Sequence, residues 1–224
     1  VRLRLVFWRH GQTVQNLSLR IQGAQDFPLD DVGHAQASET AGELAKMKPA
    51  RIYSSDLWRA RQTAEYLSEV TGVPILMEPG LRERAYGSWE GLTSAEIRER
   101  DPEQWMVWRE GREPEGVGVE RREDCGMRVA DAVSRAVADV EAELSQSVGK
   151  DDVVTVVFVA HGGSISNGVM TLLGQNPSEW VGLQGMDNCH WAILEPRHKA
   201  NPPWRLYSYN RRTVDVATID RPGF

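Results

Sequence analysis

The sequence predicts an α/β fold, a three-layer α/β/α sandwich around a mainly parallel central sheet, as a single domain over residues 1–224. Three observations carry this. Residues 3–8 (LRLVFW) and 153–159 (VVTVVFV) are short, nearly continuous apolar runs rich in β-branched and aromatic residues, as in strands buried on both faces. Segments of helical periodicity alternate with such runs, the order that places helices on both faces of a parallel sheet. A chain of 224 residues, 41% of them hydrophobic, suits one sizeable core.

The run at 3–8 leads into His10-Gly11. Asp31 to Lys48 is Ala- and Glu-rich, follows Asp30 as N-cap and stops before Pro49, which predicts a helix. Arg51 to Ser54 reads as a strand. Leu57, Ala60, Ala64 and Leu67 then recur at helical spacing up to Gly72. Residues 101–119 combine Pro, Gly and charge with Trp105, Met106 and Trp108, and are expected to form a lid over a site. From Glu120 to about Ser147, Val129, Val133, Ala136, Val137, Val140 and Leu144 trace one face of a long helix. The strand at 153–159 leads to His161-Gly162, and Ser164 to Leu173 forms the next helix. Residues 189–195 and 204–210 are two further strands, and the tail after Arg212 is expected to be irregular.

Composition narrows the function. A formal net charge of -6 argues against a nucleic-acid or membrane-lipid surface, since polyanions are held by clustered Lys and Arg. No stretch approaches the roughly 18 apolar residues of a membrane helix, and Cys125 and Cys189 have no metal-ligand spacing. A cytoplasmic location with reduced thiols follows as the expectation. The partner expected is a small anionic substrate bound by a local positive field, and a homodimer is left open.

Ligands of open α/β sheets bind beyond the carboxyl ends of the strands, where both His-Gly pairs fall. Arg9-His10-Gly11 joins a fixed cation, a candidate nucleophile and a permissive backbone position, with Thr13 and Asn16 following. Two histidines and Glu83 form a set that can hold zinc, but the flanking arginines would repel a divalent ion. No metal is expected.

The segment Leu5-Val6-Phe7-Trp8-Arg9-His10-Gly11-Gln12-Thr13 with Asn16 resembles the RHG signature of the histidine phosphatases, the phosphoglycerate mutase-like superfamily. Three more segments match in order: Ser54-Ser55-Asp56-Leu57-Trp58-Arg59-Ala60 with Gln62-Thr63-Ala64, Leu81-Arg82-Glu83 with Gly87-Ser88-Trp89-Glu90-Gly91, and Val159-Ala160-His161-Gly162-Gly163. The resemblance implies that His10 attacks phosphorus and becomes a phosphohistidine. It implies that Arg9, Arg59 and His161 bind the phosphoryl oxygens and that Glu83 serves as acid and then base. Asn16, Gln22, Gly23 and Gly162 match substrate- or phosphate-binding positions. Arginine suits a transferring phosphoryl group, whose charge spreads over its equatorial oxygens. Free N–H groups at the helix starts near Asp56 and after His161 favour anions as well. Arg9 and Arg59 would keep His10 neutral, with a backbone carbonyl near Gly11 fixing which ring nitrogen attacks.

Glu120, Asp124 and Arg128 match a pattern of the phosphatase branch, except that Arg121 stands where that pattern has serine. The mutase branch carries a lysine and an arginine pair after the acid, whereas residues 84–149 contain no lysine and only Arg121-Arg122 as an adjacent pair. A phosphomonoesterase acting on a small phosphorylated metabolite is therefore expected, with no required cofactor. The alternative is a phosphoglycerate mutase dependent on 2,3-bisphosphoglycerate. A binding protein that has lost catalysis is disfavoured by the intact set of Arg9, His10, Arg59, Glu83 and His161. Within the phosphatase branch, Trp180, Gly185 to Asn188, Trp191 and Trp204-Arg205-Leu206 are similar to glucosyl-3-phosphoglycerate phosphatases. Aromatic surface would then meet the sugar and an arginine the carboxylate.

Overall fold

The computed structural model describes residues 2–144 and 152–213. The end of the long helix expected to about Ser147, and the tail beyond residue 213, lie outside the described residues. Strands β1 (Arg2–Arg9), β2 (Pro49–Ser54), β3 (Ile75–Met77), β4 (Val153–Ala160), β5 (Trp191–Pro196) and β6 (Trp204–Arg211) form one sheet in the order β3-β2-β4-β1-β5-β6. The first four in that order pair in parallel, and β5 and β6 continue antiparallel. The helices are α1 (Val14–Leu17), α2 (Asp31–Ala45), α3 (Trp58–Thr71), α4 (Ser94–Arg100), α5 (Pro102–Arg109), α6 (Arg122–Leu144) and α7 (Gly162–Leu172).

Strand periodicity divides the core. On β1, Leu3, Leu5 and Phe7 pack with Val129, Val133 and Val140 of α6 and with Ile165 and Val169 of α7. Val6 and Trp8 turn to the opposite face and pack with Ala37, Ala41 and Leu44 of α2 and Ala60, Ala64 and Leu67 of α3. β4 divides its side chains in the same way, and its Phe158 stacks on its register partner Phe7 with ring centroids 5.2 Å apart. Every residue from Leu5 to Trp8 is fully buried, which is why an unbroken apolar run codes for this strand.

Asp30 caps α2 by accepting from Gly33 N at 2.8 Å. β2 starts two residues earlier than expected, at Pro49, since a proline is tolerated as the first residue of a strand. α6 starts at Arg122 rather than Glu120, and Glu120 lies ahead of it with its N–H donating to the carbonyl of Ala85 at 2.9 Å. Within 101–119 the chain forms α5, opened by Pro102, and Trp89 Nε1 donates to Asp101 at 2.8 Å at its N-terminus. Among the described residues, no helix is long and apolar enough to cross a membrane.

Candidate active site

Register brings the two His-Gly pairs together. Arg9 of β1 pairs with Ala160 of β4, so His10 and His161 leave adjacent parallel strands at one level, with ring centroids 5.1 Å apart. Ser55, leaving β2 on the other side of β4, donates its N–H to Val159 O and places its Oγ 2.8 Å from His161 Nε2. The loop after β1 lies on the start of α2 with no room for a side chain. A Cβ on Gly11 would stand 2.5 Å from Gly33 O, and one on Gly33 would stand 2.1 Å from Gln12 O. Thr63 of α3 fixes this loop by accepting from Gly11 N at 3.0 Å.

His10 is buried, and its Nδ1 lies 2.7 Å from Gly11 O. A carbonyl only accepts, so Nδ1 carries the proton and Nε2 holds the lone pair. Burial, then Arg59 and Arg9, pushes the His10 pKa well below the imidazole range, against the opposing pull of Gly11 O. The His161 pKa is also well below that range, through burial and then Arg59, His10 and Arg9. The Ser55 hydroxyl, which also accepts from Leu57 N, ties the His161 ring at Nε2 and leaves Nδ1 as the ring's other polar atom.

Two guanidinium groups face these rings from inside the protein. Arg59, fully buried in the first turn of α3, donates to Gln25 O at 2.7 Å and to Gly23 O at 2.8 Å. Burial lowers its pKa to about 10, opposed by the nearby Glu83. Arg9 donates through Nη1 to Met186 O, and burial lowers its pKa too. Arg9 Nε, Arg59 Nε and His161 Nδ1 are buried and have no hydrogen-bond partner among the described residues. Leaving such a group unmatched costs about 1–3 kcal/mol, and two of the three belong to the arginines that line the smaller of the cavities described below.

Glu83 pairs with neither neighbouring arginine side chain: Arg82 pairs with Asp56 and Arg84 with Glu113. Its Oε1 accepts from Arg84 N at 2.7 Å and Ser164 N at 2.8 Å, and its Oε2 from Gly163 N at 3.1 Å. The helix starts thus differ from expectation. At α7 the N–H groups of Gly163 and Ser164 are spent on Glu83, and at α3 the N–H of Trp58 goes to Asp26 at 2.6 Å, because a carboxylate within the chain reaches each first.

Two cavities meet at Glu83. One, of about 220 Å³, is lined by Arg9, His10, Asn16, Gln22, Gly23 and Arg59. The other, of about 430 Å³, reaches Arg84, Arg109, Arg122, Gly162 and Asn167. Arg9, Glu83, Tyr86 and Trp108 border both. Tyr86 is a neutral phenol near Glu83, its pKa raised to about 12 by burial and then by Glu83.

Asn16 Oδ1 accepts from Thr13 N and Asn188 Nδ2. Gln22 Oε1 accepts from the Thr13 hydroxyl, and the carbonyl of Gly23 anchors Arg59. Gly23 has φ +53, and a Cβ there would meet Glu90 Oε1 at 2.1 Å, so a side chain would be strained and would displace Glu90.

Of the arginine pair, Arg122 borders the larger cavity while Arg121 is exposed and pairs with Glu123 at 3.3 Å. The tryptophans sort differently from the sequence comparison: Trp191 is core at 1% exposure and Trp204 packs on the core, whereas Trp108 reaches both cavities. The sequence points to no role for Ser55, Thr63 or Tyr86, and to Trp108 only as part of the expected lid. The first two lay inside quoted motifs, at a strand end and one helical turn after Arg59, where a polar residue on a buried face signals a partner. Among the described residues, no three His, Cys, Asp or Glu side chains are grouped to hold a metal.

A family model described as the histidine phosphatase superfamily (branch 1) matches residues 5–211. A glucosyl-3-phosphoglycerate phosphatase of Mycolicibacterium vanbaalenii is 37% identical over 217 residues, covering 92% of this chain and 94% of the relative. The glucosyl-3-phosphoglycerate phosphatase of Mycobacterium tuberculosis is 40% identical over 191 residues, 85% and 84% of the two chains. A solved structure of the mycobacterial enzyme of that name in complex with VO3 gives a TM-score of 0.81 at 39% identity, covering 94% of this chain and 99% of the other.

Proposed function

The chain belongs to the histidine phosphatase superfamily, and from that membership we propose a phosphomonoesterase that works through a phosphohistidine on His10 and acts on glucosyl-3-phosphoglycerate. The observation that carries the reading is the fixed tautomer of His10, with Nδ1 tied to Gly11 O and Nε2 left as nucleophile among Arg9, Arg59 and His161.

In the first half-reaction Nε2 attacks phosphorus in line, the P–N bond forms and the ester P–O bond breaks. Arg9, Arg59, Asn16 and His161 Nδ1 hold the non-bridging oxygens as charge spreads over them, with Gln22, Gly23 and Gly162 shaping the pocket. Glu83 gives its proton to the leaving alkoxide from Oε2, the oxygen that accepts only one backbone bond, from Gly163. In the second half-reaction the same oxygen takes a proton from water as that water attacks phosphorus and His10 is released. No cofactor enters either step.

The larger cavity takes the alcohol. Trp108 and Tyr86 offer aromatic surface to a sugar, and Arg109 and Arg122 offer charge to the glycerate carboxylate. Arg84 and Arg122 share Glu113, so one of the three positive charges that Arg84, Arg109 and Arg122 bring to the cavity is cancelled. Residues 101–119 form the cover of this cavity in a single-domain enzyme. Two buried free thiols, Cys125 and Cys189, suit a cytoplasmic setting.

Rapid quenching with labelled donor should trap an acid-labile adduct on the wild-type protein and none on His10→Ala, which stays folded and loses turnover. A His10→Ala variant that keeps full activity rejects the nucleophile. Turnover on a panel of glucosyl-3-phosphoglycerate, 3-phosphoglycerate and phosphoserine should be highest on the first. Dependence on added 2,3-bisphosphoglycerate would reject hydrolysis in favour of the mutase reaction.

A further inference from the structure

Glu83 lies on a stretch that no sheet ladder or long helix fixes. Two short 3-10 turns, at Pro79–Leu81 and Gly87–Trp89, bracket it, and the residues between follow an irregular path. Its backbone carbonyls still need donors, and those of Gly80, Arg82 and Glu83 are met by one side chain on a different element. Arg128 of α6 donates through Nη1 to Gly80 O at 2.9 Å and Arg82 O at 2.7 Å, and through Nη2 to Glu83 O at 2.9 Å. Its remaining donors form a fork on Glu120, Nε to Oε1 at 2.7 Å and Nη2 to Oε2 at 2.9 Å. All five N–H bonds of a guanidinium are thereby used.

Glu120 completes the clamp from the other side. Its Oε2 accepts from Ala85 N at 3.1 Å, its N–H donates to Ala85 O, and its carbonyl accepts from Arg84 Nε at 2.6 Å. Gly80 permits the approach, since a Cβ there would stand 2.9 Å from the Ala132 Cβ of α6. The backbone of residues 80–85 is thus set relative to α6, while the Glu83 carboxylate is set relative to α7.

We propose that Arg128 is a positioning residue for proton transfer by Glu83, acting through the three carbonyls it holds. It lines neither of the cavities at the reacting centre, so its contact with the acid runs through the backbone it holds, and lysine at the same place keeps its charge. The proposal rests on the acid role given to Glu83 above. A planar fork of five donors cannot be replaced by the three donors of an ammonium at one point, so lysine restores the charge without the geometry.

The test compares an ester with a poor leaving group, glycerol 2-phosphate, with p-nitrophenyl phosphate, whose nitrophenolate needs little proton help. For Arg128→Lys we expect kcat/KM to fall by about 10- to 100-fold on the first and by less than about 3-fold on the second, within the range general acid catalysis supplies. Glu120→Gln, which loosens the fork without removing Arg128, should give the same pattern at smaller size and serves if Arg128→Lys does not fold. The double variant Arg128→Lys/Glu83→Gln should lose no more on glycerol 2-phosphate than Glu83→Gln alone. Equal losses on both esters in Arg128→Lys and Glu120→Gln, or no loss on either, overturn the proposal, provided Glu83→Gln itself discriminates between the esters. If Glu83→Gln does not discriminate, the acid assignment fails instead.

Discussion

Gly11→Ala puts the nucleophile loop against a wall whose resistance can be worked out. The new Cβ would stand 2.5 Å from Gly33 O, while ordinary contact begins at 3.4 Å, so the backbone must part by about 0.9 Å. α2 cannot give way easily, because Gly33 N is bonded to Asp30 and Gly33 already abuts Gln12 O. The displacement therefore falls on residues 10–13, breaks the bond from Gly11 N to Thr63 Oγ1 and moves the carbonyl that orients His10. A misplacement near 1 Å costs about 100-fold in rate. Overpacking of this kind costs about 1–3 kcal/mol in stability. Steady-state kinetics with p-nitrophenyl phosphate and urea unfolding measure the two. Gly42→Ala is the control: it lies inside α2 with nothing within 4 Å of its Cβ position, and it should gain about 0.5–1 kcal/mol with full activity. A Gly11→Ala enzyme whose kcat stays within about twofold of wild type would refute the link between this close approach and the placement of His10.

The other predictions concern charge. His10 and His161 are held neutral by burial and by Arg59 and Arg9, whereas in the unfolded chain both rings bind protons below about pH 6.5. Stability is then intact above that pH and falls as pH is lowered, by about 1.4 kcal/mol per pH unit for each ring, until the folded rings titrate. His10→Ala should remove one such contribution. Urea midpoints from pH 7 to 5 that fall as steeply in His10→Ala as in wild type contradict the origin given for the shift. Arg122→Ala should raise KM for glucosyl-3-phosphoglycerate by about 10-fold or more, the size of a charge-assisted bond, with little change on p-nitrophenyl phosphate. Arg121→Ala, its exposed neighbour, should be silent on both substrates, and equal effects of the two substitutions count against Arg122 as a carboxylate ligand.

The parts of the fold that could be read from sequence are those whose burial is two-sided or strictly periodic. β1, β4 and the α6 stripe of Val129, Val133 and Val140 fall in this class. β3 left no such mark, since Ile75 to Met77 is three residues long and partly exposed at the sheet edge. The groups proposed to face phosphate are visible as motifs because each combines rare residue types near a strand end. Their supports are not, because they lie far away in sequence. Ser55 meets His161 across 106 positions, and Asn188 meets His10 O across 178. Trp191 and Trp204 misled for the opposite reason: a large aromatic side chain serves a core as well as a pocket, and composition does not distinguish the two.

The carbonyl of His10 accepts from Asn188 Nδ2 at 3.0 Å and Cys189 N at 3.2 Å, and β5 pairs with β1 just beyond. The first strand therefore stays unfinished until residues 178 positions further along have left the ribosome. Contacts spanning such a loop are slow to close, so the nascent chain carries its reactive imidazole through synthesis without the partners that hold it ready. Competence arrives late and all at once, and a chain cut short before the β5 hairpin emerges as a phosphatase in sequence only.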